Sequence, residues 1–379
     1  MKKRVVLIAV VIVAVCLGYF TFTGAETKAP SATAAGKTYS ATLYVAGMGG
    51  HFAKADVTID PSNAAAPLKV NNLDRIEIGT KDTHPTHDAR IDVNDNTVMF
   101  WSTYKLDPAG KMHVGKSDLK TGKVITDITL TPDAKAPGAK PPLYCASGQT
   151  KNSFMPVFMG TEGYVDVFDK KTMAHKHRMF VSALGYKAGT YKYVHGINSP
   201  DMKTFLVVIN QAAEGHGNGK VDFILVDLAS LEAGKWKELK RATLTGEPDK
   251  TLTFRQFFTA YSKTIYESAG DRLWVINAAD LKLIDMKMVP VEGQQIHDAM
   301  PSPDGKFAVL TLREVAEVCD DSGKPIPGKD ITDGSLLLYD ATAKKLVGKS
   351  ASVCLDCHKN MGLGDKTAVL CGVDGNWKM

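Results

Sequence analysis

The sequence contains no long run of basic residues and no basic stretch interleaved with aromatic side chains. Its net charge is only +5 over 379 residues, and aromatic residues make up 8% of the chain. Proteins that bind DNA or RNA present a basic patch or stripe to the phosphates. The composition therefore argues against a nucleic-acid partner.

Cysteine is scarce, and the motifs of several large enzyme classes are missing. The chain has no Gly-rich loop of the kind that cradles phosphates and no Ser/His/Asp phrase of the kind that serves hydrolysis, so no catalytic residue is assigned. One of the six cysteines, Cys16, lies in an apolar run near the N-terminus. The other five form an odd set, so simple disulfide pairing leaves one over: Cys145, Cys319, Cys354, Cys357 and Cys371.

A basic start followed by an apolar run indicates export. Lys2–Arg4 precede 18 residues without a charge, Val5–Phe22. This is the pattern of a secretory signal, but the run is also close to the length that spans a bilayer. We therefore expect residues 1–25 to be either a cleaved signal peptide or a retained anchor helix in the inner membrane, and residues 26–40 to be a linker. In both cases the rest of the chain is periplasmic or otherwise extracytoplasmic.

A phrase consisting of a histidine, a turn and an apolar strand recurs along the chain. It begins at His87 ("HDARIDVNDNTVMFW"), at His195 ("HGINSPDMKTFLVVIN") and at His297 ("HDAMPSPDGKFAVLTL"). Asp, Asn, Pro and Gly favour tight turns, so the middle of each phrase predicts a strand connection. The same spacing identifies three more openings, at Cys145, at Phe254–Arg255 and at His358.

These six openings and one N-terminal unit predict a β-propeller. The N-terminal unit, "ATLYVAGMGGHFAKADVTID", supplies two middle strands but lacks an opening strand. Seven units of about 50 residues with four short strands each are typical of a seven-bladed propeller, here over residues 41–379. We expect the two ends of the chain to close the ring within one blade. The alternative all-β arrangement is a pair of β-sandwiches, which does not explain the repeated phrase.

The repeat phrase resembles that of the YVTN-type propellers. The segments "YVHGINSPDMKTFLVV" and "IHDAMPSPDGKFAVL" carry this resemblance, together with "LYVAG". The phrase is also similar to parts of the propellers of haem-containing dissimilatory nitrite reductase and of nitrous oxide reductase, and "DTHPTHDAR" is loosely like a His-rich segment of the latter. The resemblance implies the fold over most of the chain.

In a propeller the strand that opens each blade is the innermost one, so the residues that begin the phrases are expected around one mouth of the channel. A ring of imidazoles can hold copper, zinc or a haem iron. The expected metal ligands are therefore four histidines, with Cys145 and Phe254 or Arg255 at the same mouth: His87, His195, His297 and His358. The alternative is that each histidine only hydrogen-bonds a neighbouring blade.

The stretch "SVCLDCHKNM" adds a motif that no other unit has. Cys354, Cys357 and His358 form C-x-x-C-H, the spacing at which two thiols attach one covalent haem c and the histidine becomes an axial ligand. A Cys/Cys/His metal site and a disulfide or redox pair are the alternatives. Helical apolar periodicity is missing on both sides, so the propeller would have to hold the haem. Candidates for the opposite axial ligand are His297, His195, His87 and Met361.

Three functions follow from these features. The first is a c-type haem redox protein that transfers electrons to a redox partner protein, or reduces a small ligand, in extracytoplasmic respiration. The second is a non-catalytic propeller that binds copper or a tetrapyrrole through its histidine ring for delivery to a partner. The third is a scaffold without a cofactor. We expect five further histidines to be surface or structural residues: His51, His113, His175, His177 and His216.

Overall fold

The computed structural model describes residues 37–136, 143–160, 162–319, 325–353 and 370–378, with the side chains of 314–319, 325–333 and 370–371 left undescribed. This part of the chain is almost entirely β-strand. It contains 24 strands, one short helix, α1 (Leu228–Glu232), and one 3₁₀ turn, Val181–Leu184.

The strands form six antiparallel sheets of four strands each, arranged as the blades of a propeller. From the channel outwards, blade 1 comprises β24 (Leu370–Lys378), β1 (Tyr39–Gly47), β2 (His51–Ile59) and β3 (Leu68–Glu77), and blade 2 comprises β4 (Thr86–Ile91), β5 (Val98–Thr103), β6 (Met112–Asp118) and β7 (Val124–Leu130). Blade 3 comprises β8 (Tyr144–Gln149), β9 (Ser153–Phe158), β10 (Tyr164–Asp169) and β11 (His175–Phe180), and blade 4 comprises β12 (Tyr191–Asn198), β13 (Thr204–Ala213), β14 (His216–Asp227) and β15 (Glu238–Thr245). Blade 5 comprises β16 (Gln256–Phe258), β17 (Thr264–Ser268), β18 (Arg272–Asn277) and β19 (Leu283–Met288), and blade 6 comprises β20 (Gln295–Pro301), β21 (Phe307–Cys319), β22 (Pro325–Asp340) and β23 (Lys345–Ser352).

Burial falls from the inner to the outer strand of a blade. In blade 2, every residue of β4 is buried, whereas β7 alternates between exposed and half-buried residues. The apolar side chains form six clusters, and each cluster lies between two neighbouring blades. Each interface therefore buries one face of two sheets, which is why a blade is stable only beside its neighbours.

The C-terminal strand closes the ring, and this corrects the number of blades. β24 pairs antiparallel with β1, with Val373 opposite Val45 and Trp377 opposite Ala41. The expectation that both chain ends meet in one blade is confirmed. The prediction of seven blades is wrong, because it counted the C-terminal repeat and the incomplete N-terminal unit separately, whereas β24 pairs with the N-terminal strands in one blade. The all-β propeller itself is confirmed, with six blades.

Two sequence motifs fall outside the described residues. These are the signal or anchor segment, residues 1–25, and the C-x-x-C-H motif, residues 354–358. Within the described residues, no helix is long and apolar enough to cross a membrane.

Candidate metal centre in the propeller channel

The inner strands bring a thiol and two imidazoles together inside the channel. His87 lies on β4, Cys145 on β8 and His297 on β20. One donor atom from each of the three residues lies within 4.8 Å of the other two, and all three residues are buried. The Sγ atom of Cys145 is 3.9 Å from Nδ1 of His87. The sequence placed all three residues at one mouth of the channel, and here they form one cluster.

Several imidazole nitrogens in the channel have no hydrogen-bond partner. They are Nε2 of His87, Nδ1 of His297 and both ring nitrogens of His195. A buried polar atom without a partner costs about 1–3 kcal/mol, so native structures rarely keep one without a reason. Nitrogens that face no protein donor or acceptor are available to a metal ion.

The channel keeps these imidazoles neutral. Burial, and then the charge of Arg255, lower the pKa of His195 to about 3. Burial, followed by the charges of Arg313 and other cations or imidazoles, holds the pKa values of His87 and His297 well below their usual range. A neutral imidazole has a lone pair to donate, which is the form that a metal requires.

His195 lies on the inner strand of blade 4, beside the three-residue cluster. It is fully buried, and its position close to His297 contributes to the lowered pKa of His297. Its ring is 6.4 Å from that of Tyr193, centroid to centroid. His195 is therefore the candidate for a fourth ligand rather than a member of the cluster as it stands.

Aromatic side chains hold the two clustered imidazoles in place. Tyr104 stacks on His87 with ring centroids 3.8 Å apart, and Phe254 stacks on His297 with centroids 4.4 Å apart. The two imidazoles themselves meet edge to face at 5.7 Å. Stacked rings cannot rotate freely, so the donor nitrogens keep their directions without hydrogen bonds.

Arg255 occupies the opening position of blade 5 and ties four blades together. Its Nε donates to Asp298 Oδ2 at 2.7 Å, and its Nη1 donates to Asp88 and to the carbonyl of Cys145. Asp88 follows His87 in the sequence and Asp298 follows His297. The two carboxylates of Asp88 and Asp298 balance the guanidinium charge of Arg255 inside the channel.

The backbone of β24 at Gly372 forms one wall of this site. A Cβ placed on Gly372 would lie 2.4 Å from the carbonyl oxygen of His87 and 2.6 Å from Cζ of Arg255. The amide of Val373, the next residue, donates to Asp298 Oδ2 at 2.9 Å. Gly372 therefore allows the closing strand to approach the histidine ring. Cys371 precedes this glycine in β24, whereas the predicted ligands Cys354, Cys357 and His358 lie outside the described residues.

Among the histidines predicted to lie at the surface, three are exposed and one is buried. His175 and His177 lie on the outermost strand of blade 3 and His216 begins β14, and all three are exposed, as expected. His51 was assigned to a surface loop, but it begins β2 and is fully buried, with its pKa lowered to about 4 mainly by burial.

Sequence reasoning missed the acidic partners of Arg255. A signal was present, because both "HDA" phrases place an aspartate directly after a ring histidine: Asp88 and Asp298. A second cluster, of His84, His113 and Asp127, was also missed and is described below.

Comparisons with known proteins support the fold alone. No protein-family model and no curated protein matches the chain. A Bacteroides fragilis protein described as a candidate 6-phosphogluconolactonase is similar at 11% identity, with a TM-score of 0.50, over 92% of this chain and 100% of that one. A chain of a nidogen–laminin complex is similar at 11% identity, with a TM-score of 0.51, over 89% and 98%.

Hydrazine synthase from Kuenenia stuttgartiensis also matches, at 16% identity over 73% of this chain and 70% of that one. Its TM-score of 0.42 is too low to support any inference. At these identities, likeness of fold does not carry function, so function has to be argued from the site. The chain is a six-bladed β-propeller.

Proposed function

We propose that this propeller is an extracytoplasmic redox protein that binds one copper ion in its channel through His87, Cys145 and His297. The observation that carries the proposal is the buried cluster of one thiol and two imidazoles whose donor atoms lie within 4.8 Å of one another. Nδ1 of His297 has no hydrogen-bond partner, and Nδ1 of His87 is 3.9 Å from the thiol. Soft thiolate and imidazole ligands suit copper and zinc, and a two-histidine, one-cysteine set is that of copper sites that transfer single electrons.

The distances fit a metal site that needs only small adjustments. With zinc-like bonds of about 2.3 Å to sulfur and about 2.0 Å to nitrogen, a tetrahedral site separates the two donors by about 3.5 Å. The observed separation between Cys145 Sγ and His87 Nδ1 is 3.9 Å. His195, whose ring nitrogens have no hydrogen-bond partner, is the candidate for a fourth ligand. His358, which the repeat also predicts at this mouth, lies outside the described residues.

The surroundings suit electron transfer better than open catalysis. The aromatic rings of Tyr104 and Phe254 cover the two imidazoles and limit access of water. A dry shell around a metal controls its redox potential, and rigid ligands reduce the rearrangement between oxidation states. A redox partner protein would dock at the mouth of the channel and exchange one electron at a time.

A covalent haem is a second candidate, favoured by the spacing of Cys354, Cys357 and His358. The segment that contains this motif leads into β24, the strand that closes the channel wall. If both groups are present, the haem and the copper would serve the same redox function. Zinc in the channel would instead favour a binding or delivery module, because zinc has no redox chemistry.

The test is a metal titration of the full-length exported protein. After removal of metal by a chelator, we expect wild type to bind one equivalent of copper and to show a visible thiolate-to-copper absorption band. Cys145→Ser should abolish the band, and His297→Gln should weaken copper binding by more than about 100-fold, since the loss of an outer-shell partner alone costs 10–100-fold.

The matched control is His216→Gln, because His216 is exposed and lies away from the channel strands. It should bind copper like wild type, with circular dichroism confirming that all variants are folded. Wild-type affinity in the folded double variant Cys145→Ser/His297→Gln would overturn the proposal. A preference for zinc, with no copper band, would replace the redox function with the delivery function.

The extracytoplasmic location is tested separately by fractionation. Export should place the protein in the periplasm or on the periplasmic side of the inner membrane, according to whether residues 1–25 are cleaved or retained. Recovery of an uncleaved chain in the cytosol would contradict this part of the proposal.

A further inference from the structure

We propose a second metal site in blade 2, in which His84, His113 and Asp127 bind a first-row divalent cation such as Zn²⁺. This site lies outside the channel and does not depend on the copper proposal. One donor atom from each of the three residues lies within 4.8 Å of the others.

The three residues come from different elements of one blade. His113 lies on β6 and Asp127 on the outermost strand, β7, where it is opposite Gly115. A Cβ on Gly115 would lie 2.3 Å from the indole of Trp101, so the glycine makes room for this ring beside the cluster. His84 reaches the same place from the connection between β3 and β4.

The donor atoms already have the spacing of a metal site. His84 Nε2 is 3.0 Å from Asp127 Oδ2, and His113 Nδ1 is 3.0 Å and 3.1 Å from the two carboxylate oxygens. Bonds of about 2.0–2.1 Å in a tetrahedral zinc site place neighbouring donors about 3.3–3.4 Å apart. The two histidine–aspartate separations therefore differ from those of a zinc site by only a few tenths of an ångström, and the two imidazole nitrogens lie within 4.8 Å of each other. A cation would replace the protons that these nitrogens share with the carboxylate.

The second nitrogen of each imidazole ring also has a hydrogen-bond partner. His113 Nε2 is 3.3 Å from Asp107 Oδ2, and His84 Nδ1 is 2.8 Å from the hydroxyl of Thr83. Histidines that ligate metals usually donate their other N–H group to a carboxylate, a carbonyl or a similar acceptor. This arrangement leaves Nδ1 of His113 and Nε2 of His84 facing Asp127 as the metal-binding nitrogens.

The position of the His84 ring is built into the blade. A Cβ on Gly79 would lie 2.0 Å from His84 Nδ1, so any other residue there would displace the ring. The indole of Trp101 meets the other side of the ring edge to face at 5.4 Å, and its Nε1 donates to Ser117 Oγ at 2.9 Å. These contacts fix the ring, as a pre-organised ligand requires.

The site is accessible to an ion from solvent. The side chains of His84 and His113 are only 11% and 9% exposed, but that of Asp127 is 30% exposed. Three protein ligands and one open side would leave a coordination position for water or a small anion.

The test uses full-length protein in which the channel ligands are removed, Cys145→Ser/His297→Gln, so that only the second site remains. This protein should bind one equivalent of Zn²⁺, and Co²⁺ should give the visible spectrum of a tetrahedral site. Asp127→Asn should weaken zinc binding by more than about 100-fold, and Asp107→Asn by about 10–100-fold.

Asp82→Asn is the matched control, because it removes the same charge from the loop that carries His84 but its carboxylate pairs only with exposed Lys81. Zinc should raise the melting temperature of this control and not that of Asp127→Asn. His84→Gln provides a second test if Asp127→Asn does not fold. Equal zinc affinity in the control and in a folded Asp127→Asn or His84→Gln variant would overturn the proposal, and so would failure of the parent to bind zinc.

Discussion

The Nε atom of Arg255 donates to Asp298 Oδ2 at 2.7 Å, which joins blade 5 to blade 6 inside the channel. Both side chains are almost completely excluded from solvent. The same guanidinium reaches Asp88 of blade 2, so three inner strands meet at one charge. The ion pairs hold in register the two strands that carry His87 and His297.

Replacement of Arg255 by methionine should destabilise the propeller by about 3–5 kcal/mol. Methionine fills part of the space but leaves Asp88 and Asp298 buried without a counter-charge, which is the costly way to break a buried ion pair. Denaturant unfolding measures the change. Lys282→Met removes an ion pair between two exposed side chains, Lys282 and Asp280, and should cost less than about 1 kcal/mol. An equal loss of unfolding free energy in the two variants would show that the buried ion pairs stabilise the propeller no more than an exposed pair does.

Closure by β24 should be necessary for folding. Removal of residues 370–379 leaves β1 as an unpaired inner edge, and exposed edges promote aggregation. We expect the truncated chain to elute as aggregates in size-exclusion chromatography and to lose cooperative thermal unfolding. A soluble monomer that unfolds cooperatively would contradict the closed ring.

A single methyl group added to β24 tests how closely this strand packs against the channel. Gly372→Ala places a Cβ against the His87 carbonyl, and overpacking of this kind costs about 1–3 kcal/mol. Gly217→Ala adds the same methyl group where no atom lies within 4 Å, so its stability should stay close to that of wild type. The two melting temperatures give the comparison, and an unchanged value for Gly372→Ala would contradict the tight approach.

Glu267 should make the propeller less stable as the pH rises. Burial, and then the nearby charge of Asp298, raise the pKa of Glu267 well above its usual value of 4.5, and both of its oxygens lack hydrogen-bond partners. Above pH 4.5 the unfolded chain releases this proton while the folded chain keeps it. The stabilisation linked to the proton is therefore complete below pH 4.5 and is lost, by up to about 1.4 kcal/mol per pH unit, as the pH rises towards the folded pKa.

Glu267→Gln should remove this dependence. Glutamine has nearly the same shape and no proton to lose, so the variant should gain stability over wild type at pH 8 and match it more closely at pH 4. Glu292→Gln alters an exposed glutamate and should follow the wild-type profile. Parallel curves of melting temperature against pH for wild type and Glu267→Gln would show that Glu267 does not titrate with folding.

The haem hypothesis predicts an added mass that survives denaturation. Expressed with the haem c assembly machinery, wild type should carry the mass of one haem and a c-type absorption band, because thioether bonds resist denaturation. Cys354→Ala/Cys357→Ala should lose both signals, and Cys319→Ala should keep them. A wild-type chain without added mass would leave Cys354 and Cys357 as a thiol pair or as metal ligands.

The fold was predictable because its repeat is local. Each His-turn-strand phrase places a turn and a strand within about 15 residues, and turn chemistry identifies such a unit without knowledge of its neighbours. The number of blades was not, because the pairing of β24 with β1 joins residues more than 300 positions apart. No local pattern shows that two incomplete units belong to one sheet.

The two candidate sites differed in how far sequence could reveal them. The ring positions His87, Cys145 and His297 repeat with the blades, so one rule placed all three near the channel. His84, His113 and Asp127 meet through a loop and a diagonal contact across two strands of a single blade, which no period reveals. The burial of His51 was missed because "GMGG" indicates a surface loop, whereas this turn packs against Thr80.

The closing strand also sets the order in which the molecule can mature. The ribosome makes Leu370–Lys378 after every other described strand of the ring, and until then the wall of the channel beside His87 does not exist. Copper in the proposed site therefore becomes enclosed only after this strand has been made, and after translocation if the chain is exported unfolded. A chain that stops a few residues early would lack the enclosed site as well as the closed ring. The metal content of the purified protein would thus report what fraction of its molecules has this strand in place.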